Sequence, residues 1–426
     1  MEPTKQYDVV VVGSGTCGAA IARDLSARGA RVLVLERGGE APQRESILSV
    51  VSIADEVKVG HKLSTLRVLA AGGSSALYFG VLNDPPLDAF MAIGVDLRDD
   101  VAAVRLEVPI CELPDAAVGE QSQRLRDAAR ALGHDWRKHE MLIDSAKIEG
   151  DRYTYGALWK AKSHLAAAVE NGATLIKHAE AKKILIEDGR AVGVAYAEKG
   201  RSRGAALETV RAPVVVLAAG ELASPKILRD CGDARVGDRG FYCNPGYALY
   251  GIVPEMDARD NFVGSMGCVL DEGIELGDAN VSKFMYRLMM LGKFKIGRLF
   301  KYPQSIGIGV KVKDGFGGGF TEKGGYHKDF DDADMKKLRR GEAEARKILE
   351  RAGAKSIYNF GISVAGRVGG FIRIGEQVDA DLQTKFRGLY VCDGSIIPDA
   401  MRGTPTLTLL AFARRLSRHL ATTISA

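Results

Sequence analysis

Apolar residues follow two rhythms along this chain. Short unbroken runs at Val9 to Val12, Val32 to Leu35 and Val214 to Leu217, bounded by glycine or charge, have the pattern of strands buried on both faces of a parallel sheet. Between the first two runs Ala19, Ala22 and Leu25 recur at helical spacing up to Gly29. From Leu175 to Gly200 the pattern predicts two strands around an Asp188-Gly189 hairpin signal. After the Val214 strand, Ser224 is placed as an N-cap with Pro225 at the first helical position. The stretch 329–354 reads as a surface helix, or a helix pair, with acids leading, Leu338, Ala345 and Leu349 inward, and Gly353 as the stop. A short strand from Leu389 to Cys392 is followed by a loop to Gly403 and a helix beginning near Thr404-Pro405. Leu407, Leu410, Ala413 and Leu416 form its apolar face, and Arg414, Arg415 and Arg418 sit near its C-terminal end, where cations suit the helix dipole.

One segment reads two ways. From Lys283 to Asp314, methionines and aromatics alternate with Arg287, Lys293, Lys295, Arg298 and Lys301. The favoured reading is a helix packed on the core with its lysines reaching outward, ahead of a basic amphipathic surface that touches anionic lipid or admits an apolar substrate.

The bulk numbers narrow the class. A chain of 426 residues with 46% apolar and 27% charged residues has the balance of a globular protein of about two domains. The net charge of +5 is small and spread out, which argues against a nucleic-acid binder. Six cysteines without a C-x-x-C pair suggest neither a disulfide framework nor a metal site, so they read as small buried residues of a reducing compartment. The N-terminus lacks the marks of a signal peptide and no apolar run reaches membrane length, so a soluble, cytoplasmic protein is expected.

The run Val9 to Val12 passes directly into Gly13-Ser14-Gly15-Thr16-Cys17-Gly18, and the second strand ends at Glu36. In this strand, loop, helix and strand context the first glycine makes the turn, the second admits a pyrophosphate, and the third allows close helix packing. The helix start favours phosphates and Glu36 can accept a ribose hydroxyl. The motif alone does not distinguish FAD from NAD. Three further stretches do: the small-residue turn Gly72-Gly73-Ser74-Ser75, the segment Leu217-Ala218-Ala219-Gly220 with Ser224-Pro225, and Leu389 to Gly394 with Ser395 and Pro398.

In this order the four stretches resemble the glucose-methanol-choline (GMC) family of FAD-dependent oxidoreductases, from one end of the chain to the other. The resemblance implies an α/β protein with a Rossmann-type FAD-binding domain on a parallel sheet (1–95, 155–240 and 376–426) and an α+β substrate-binding domain on an antiparallel sheet (96–154 and 241–375). The substrate domain should be reduced, because the chain is shorter than most members. It further implies FAD held by Gly13, Gly15, Thr16, Cys17, Gly18, Glu36, Arg37, Gly72, Gly73, Ser74, Ser75, Ala181, Ala219, Gly220, Asp393, Gly394, Thr404, Pro405 and Thr406. The expected partners are a small-molecule substrate and an electron acceptor, with no metal.

The catalytic positions depart from the family. Oxidising an alcohol with a flavin calls for a base, and histidine suits that task near neutral pH. The family keeps one in a motif resembling H-P-x-G-T-x-x-M-G, and the matching stretch Gly366 to Gly375 (GRVGGFIRIG) has Arg367 there. The second catalytic position falls on Thr404, and Tyr78 replaces an asparagine after the Gly72 to Ala76 turn. Arginine stays protonated and cannot act as the base. None of His61, His134, His139, His164, His178, His327 and His419 falls in an expected slot, although His327 lies in the expected substrate domain. Hydride transfer between an alcohol or carbonyl substrate and flavin N5 is the leading expectation. The alternatives are the reduction or decarboxylation of a carboxylate- or carbonyl-bearing substrate anchored by Arg367, with Tyr78, Tyr242 or Asn244 as polar partners, and a non-catalytic flavoprotein subunit.

Overall fold

Val9–Val12 pairs in parallel with Val32–Leu35 on one side and Val214–Leu217 on the other. Thr174–Ile176 and Leu389–Val391 extend the sheet at its two edges, making five parallel strands. The three central strands are buried along their whole length, which is why they are runs of valine and leucine. The chain leaves Val9–Val12 toward one side and returns later on the other, so Gly13 and Ala218 meet at the point where strand order reverses, the place where open α/β sheets bind ligands. The computed structural model describes residues 6–42, 47–150, 152–198, 206–260, 264–271, 273–362 and 364–425.

The helix Thr16–Ser26 packs between the C-terminal helix Thr406–Ser425 and the helix Lys162–Glu170. A three-stranded antiparallel sheet (Ala179–Glu187, Arg190–Glu198, Glu208–Arg211) turns at Asp188 and Gly189, both with positive φ, as the hairpin signal predicts. The second large sheet has nine strands, with Pro245–Ile252, Ser305–Val312, Ile274–Asp278 and Met266–Asp271 as its antiparallel centre. Helix Asp332–Arg351 covers one face of it and buries Leu338, Ala345 and Leu349, as its sequence pattern requires.

Several expectations shift. The hairpin Ala54–Gly60 and Leu63–Val68, assigned by sequence to the FAD-binding part, joins the antiparallel sheet, because Val59 and Leu63 bury against Phe241, Val368 and Phe371. Helix Arg98–Glu107, assigned to the substrate part, packs on the C-terminal helix. Val101 and Val104 join the core of the parallel sheet, and the buried Asp100 carboxylate accepts from Arg418 at 2.6 Å. The C-terminal helix runs on to Ser425, so Arg414, Arg415 and Arg418 lie in its middle and pair with acids rather than with its dipole. Ser224 is not an N-cap: helix Ala223–Asp230 begins one residue earlier, and the Ser224 hydroxyl donates to Asp393 at 2.5 Å.

Helix Lys283–Gly292 buries Tyr286 and Met290 against Tyr250, Tyr302 and Phe360, as a core-packed helix should. Its last turn and the residues after it depart from that reading, with Leu291, Phe294, Ile296 and Phe300 in solvent. Among the described residues no helix is long and apolar enough to cross a membrane.

Candidate active site

A cavity of about 790 Å³ runs along the strand-order reversal and on to the antiparallel sheet. One end is built almost entirely from the Gly13 to Glu36 motif. Gly13 has φ +102°, and a Cβ there would lie 2.3 Å from the Ala218 carbonyl oxygen, so only glycine lets the two strand ends meet. Gly18 packs against Gly13 just as tightly, with a virtual Cβ 2.0 Å from its oxygen. Gly15 differs: the nearest atom to its virtual Cβ is the Gly73 Cα at 4.0 Å, and the space above it is cavity.

Glu36 is buried and its carboxylate organises the loop. One oxygen accepts from the Ser14 hydroxyl at 2.6 Å and the Ser14 N–H at 3.0 Å, the other from the Gly38 N–H at 2.6 Å. The Ser14 hydroxyl in turn accepts from the Gly72 N–H at 3.2 Å, tying the glycine loop to the second turn.

Of the expected cofactor residues, Gly13, Gly15, Thr16, Cys17, Glu36, Arg37, Gly73, Ser74, Ser75, Ala181, Ala219, Gly220, Asp393, Gly394, Thr404, Pro405 and Thr406 line the cavity. Gly18 and Gly72 do not, and both act through packing. Arg37 points toward Asp55 at 3.6 Å.

Midway along, Asp393 is a buried hub that accepts from Gly220 N–H, the Ser224 hydroxyl and the Ser395 N–H and hydroxyl. Burial raises its pKa, and these bonds pull the other way. Burial likewise raises Glu221 beside it, and the Asp393 charge adds to that rise. The start of the C-terminal helix, Thr406, also faces the cavity.

Four polar side chains gather at the far end: Asn244, Glu275, Lys311 and Arg367. Two come from neighbouring strands of the large sheet, in which Lys311 stands directly opposite Glu275 on one side and Gly246, two residues after Asn244, on the other. Along Ser305–Val312 the residues Ile306, Ile308, Val310 and Val312 are buried. The alternate set, Ser305, Gly307, Gly309 and Lys311, faces the other way. Lys311 is the one exposed position of this strand and lines the cavity. Desolvation lowers its pKa, Glu275 opposes the fall, and the Arg367 charge adds to it. Among the described residues its ammonium has no hydrogen-bond partner and no carboxylate within ion-pair distance.

Arg367 reaches the cavity, but its donors are taken. Nε and Nη2 donate to the Asn244 amide oxygen at 3.3 and 3.1 Å, Nη1 to the Gly403 carbonyl at 2.9 Å, and Nη2 to the Met401 carbonyl at 2.6 Å. Its guanidinium also lies 5.3 Å from the centre of the Tyr242 ring. Four of its five N–H groups are thereby used, which leaves no free pair for a bidentate carboxylate. The Thr404 hydroxyl donates to the Val81 carbonyl, and the Tyr78 hydroxyl to the Trp159 carbonyl at 2.5 Å.

Among the described residues no histidine lines the cavity. His327 is exposed beside Asp329. His139 feels the charges of Glu275 and Lys311, but burial holds it toward the neutral form behind the cavity wall. Sequence reasoning passed over Lys311 and Glu275, because a charged residue in an alternating strand ordinarily marks the solvent face.

The site fits a dinucleotide flavin. It has a glycine floor with open space above it, a carboxylate at the second strand, and helix starts along its length. Residues 105–239 match the family model described as GMC oxidoreductase. The chain is 24% identical to an uncharacterized protein of Methanocaldococcus jannaschii, over 97% of this chain and all of that one. It is 23% identical to a long-chain-alcohol oxidase of Arabidopsis thaliana, over 97% of this chain and 67% of the relative. The crystal structure of pyridoxine 4-oxidase from Mesorbium loti superposes with a TM-score of 0.70 at 17% identity, covering 97% of this chain and 99% of that one. The four ordered stretches converge on one cavity, and the chain is similar to the GMC oxidoreductases in the residues matched and in its fold.

Proposed function

We propose that the protein oxidises the alcohol carbon of a small, largely apolar molecule to the carbonyl level and hands the electrons to a separate acceptor, with Lys311 as the proton-accepting group. The supporting observation is Lys311 itself: an unpartnered amine at the end of the cavity opposite Glu36, where no histidine stands. Bound FAD supplies the acceptor for the hydride that leaves the carbinol carbon.

The chain's own residues do the rest. Lys311, held toward its uncharged form, offers the Nζ lone pair to the substrate hydroxyl and takes its proton as the hydride leaves. Glu275 stands opposite and stabilises the ammonium that results. Arg367 is a positioning residue, tying Asn244 to the Met401 to Gly403 turn from which the C-terminal helix starts. Val368 and Ile397 in the wall suit an apolar substrate body. Thr404 and Tyr78 shape the wall through hydroxyls bonded to backbone. The relatives named for oxidising long-chain alcohols and pyridoxine support an alcohol substrate. A carboxylate clamp at Arg367 finds no support in its occupied donors.

The test is anaerobic bleaching of the yellow holoenzyme by a panel of alcohols. The Lys311→Met variant should keep the FAD spectrum and bleach about 10²- to 10⁴-fold more slowly, the usual contribution of a general base, and small primary amines should restore part of the rate. Bleaching at the wild-type rate in Lys311→Met would remove Lys311 from this role, and a wild type that no alcohol bleaches would remove the reaction itself.

A further inference from the structure

The lobe at residues 283–301 lies outside the flavin cavity and has no part in the reaction proposed above. Its base is rigid. Tyr286 and Met290 pack with Tyr250, Tyr302 and Phe360, and the Tyr286 hydroxyl donates to the Arg298 carbonyl at 3.0 Å. Its tip is apolar and in water: Leu291 is 52% exposed, Phe294 87%, Ile296 64% and Phe300 80%. Four large apolar side chains within ten residues form a patch rather than scattered surface residues, and such patches mark interaction sites.

Phe294 has φ +54°, a left-handed conformation that glycine or asparagine adopts far more readily than a bulky aromatic. Backbone bonds from Phe294 N–H to the Leu291 carbonyl and from Lys295 N–H to the Met290 carbonyl hold the turn that projects it. The tip is ringed by cations. Lys283, Arg287, Lys293, Lys295, Arg298 and Lys301 occur without one acid between Val281 and Gln304, in a chain whose whole net charge is only +5. Lys295 and Arg298 lie over the Tyr358 ring, and Arg298 also donates to backbone carbonyls, while Arg287, Lys293 and Lys301 face solvent.

We propose that this lobe docks the protein on an anionic lipid bilayer, with Leu291, Phe294, Ile296 and Phe300 entering the interface and the surrounding cations meeting lipid phosphates. A projecting apolar tip with a basic collar suits a membrane interface. A second copy of the chain suits it poorly, because a symmetric contact would set the solvent-facing cations Arg287, Lys293 and Lys301 of one lobe against those of the other. The mode is peripheral.

The experiment is co-sedimentation of holoenzyme with vesicles of phosphatidylcholine alone or mixed with phosphatidylserine, with bound protein read from the flavin absorbance. Binding to the mixed vesicles should exceed binding to phosphatidylcholine at least tenfold at low salt and weaken as salt is raised. The Phe294→Ser/Phe300→Ser variant should lose at least tenfold of that binding while keeping its flavin spectrum and alcohol-driven bleaching, since both side chains are at the surface. Three results overturn the proposal: no excess on anionic vesicles, unchanged binding by the double variant, or a wild-type dimer that the double variant converts to monomer, which would give the lobe to a second copy. None of these readouts depends on the identity of the substrate.

Discussion

At the Glu36 end of the cavity the ligand-facing groups are backbone atoms and short side chains, supplied by one strand, loop, helix and strand unit between Val9 and Glu36. At the Lys311 end they are polar side chains from residues 244, 275, 311 and 367, of which 275 and 311 are set side by side by strand register. The first end is specified by what must be absent, a Cβ at Gly13 and at Gly18. The second is specified by which face of a strand a side chain takes. A fault in the first should therefore abolish cofactor binding, and a fault in the second should leave a yellow protein that is slow or altered in pH response.

The largest effect is expected from Gly13→Val. A side chain there meets the Ala218 carbonyl in a conformation that valine avoids, so the two strand ends must part, at a cost of roughly 4 kcal/mol or more. The product should be colourless, measured as FAD absorbance per protein. A stoichiometrically yellow variant would erase the contrast between the ends.

Lys328→Met comes next. The Lys328 ammonium is buried, 2.9 Å from Asp314, and also donates to the Phe241 and Gly315 carbonyls, while Asp314 accepts the Cys243 and Asn244 N–H groups. Removing the cation leaves a buried carboxylate beneath Asn244 and should cost about 3–5 kcal/mol. Denaturant unfolding measures it, and a loss below about 1 kcal/mol would show that the Lys311 end does not rest on this pair.

Asp278 gives a smaller effect tied to pH. Burial raises its carboxyl to about 6 from the ordinary 3.8, against hydrogen bonds from Ser122 and Asn280. An acid whose folded pKa is raised contributes stability that is full below 3.8 and is lost as pH climbs through about 6. Asp278→Asn should remove that decline, worth of order 2–3 kcal/mol. Thermal unfolding of both proteins between pH 4 and 8 tests it, and parallel profiles would count against the buried carboxylate.

The most delicate test contrasts two neighbours of Lys311. Bleaching should speed up as pH rises and Lys311 loses its proton. Glu275 favours the ammonium, so Glu275→Gln should move this limb to lower pH; Arg367 disfavours it, so Arg367→Met should move the limb to higher pH. Displacement of both variants in the same direction would show that another group titrates.

Much of the first end was legible in advance. The Val9 to Glu36 unit, the Gly72 turn and the Ala219-Gly220 segment all reach the cavity, because each uses residues a few places apart whose role is local geometry. Residues 54–68 fall within the stretch 1–95 that the sequence assigns to the FAD-binding part, yet their hairpin joins the antiparallel sheet, because position along the chain does not show which sheet receives a hairpin. Ser224 was taken for a cap because a serine before a proline usually is one, and Asp393, far away in the chain, claims its hydroxyl. Arg367 lines the cavity. Its partners, the Met401 and Gly403 carbonyls and the Asn244 amide, could not be read from a linear pattern.

The order of residues was thus enough to establish the parallel sheet, the glycine loop and the missing histidine, since backbone sterics and side-chain inventory act over a few neighbouring positions. Folding in three dimensions decided that Lys311 lines the cavity and that Arg367 is spent on backbone and on Asn244. Both outcomes follow from pairing between strands distant in the chain, where one step of register would exchange the two faces of a strand.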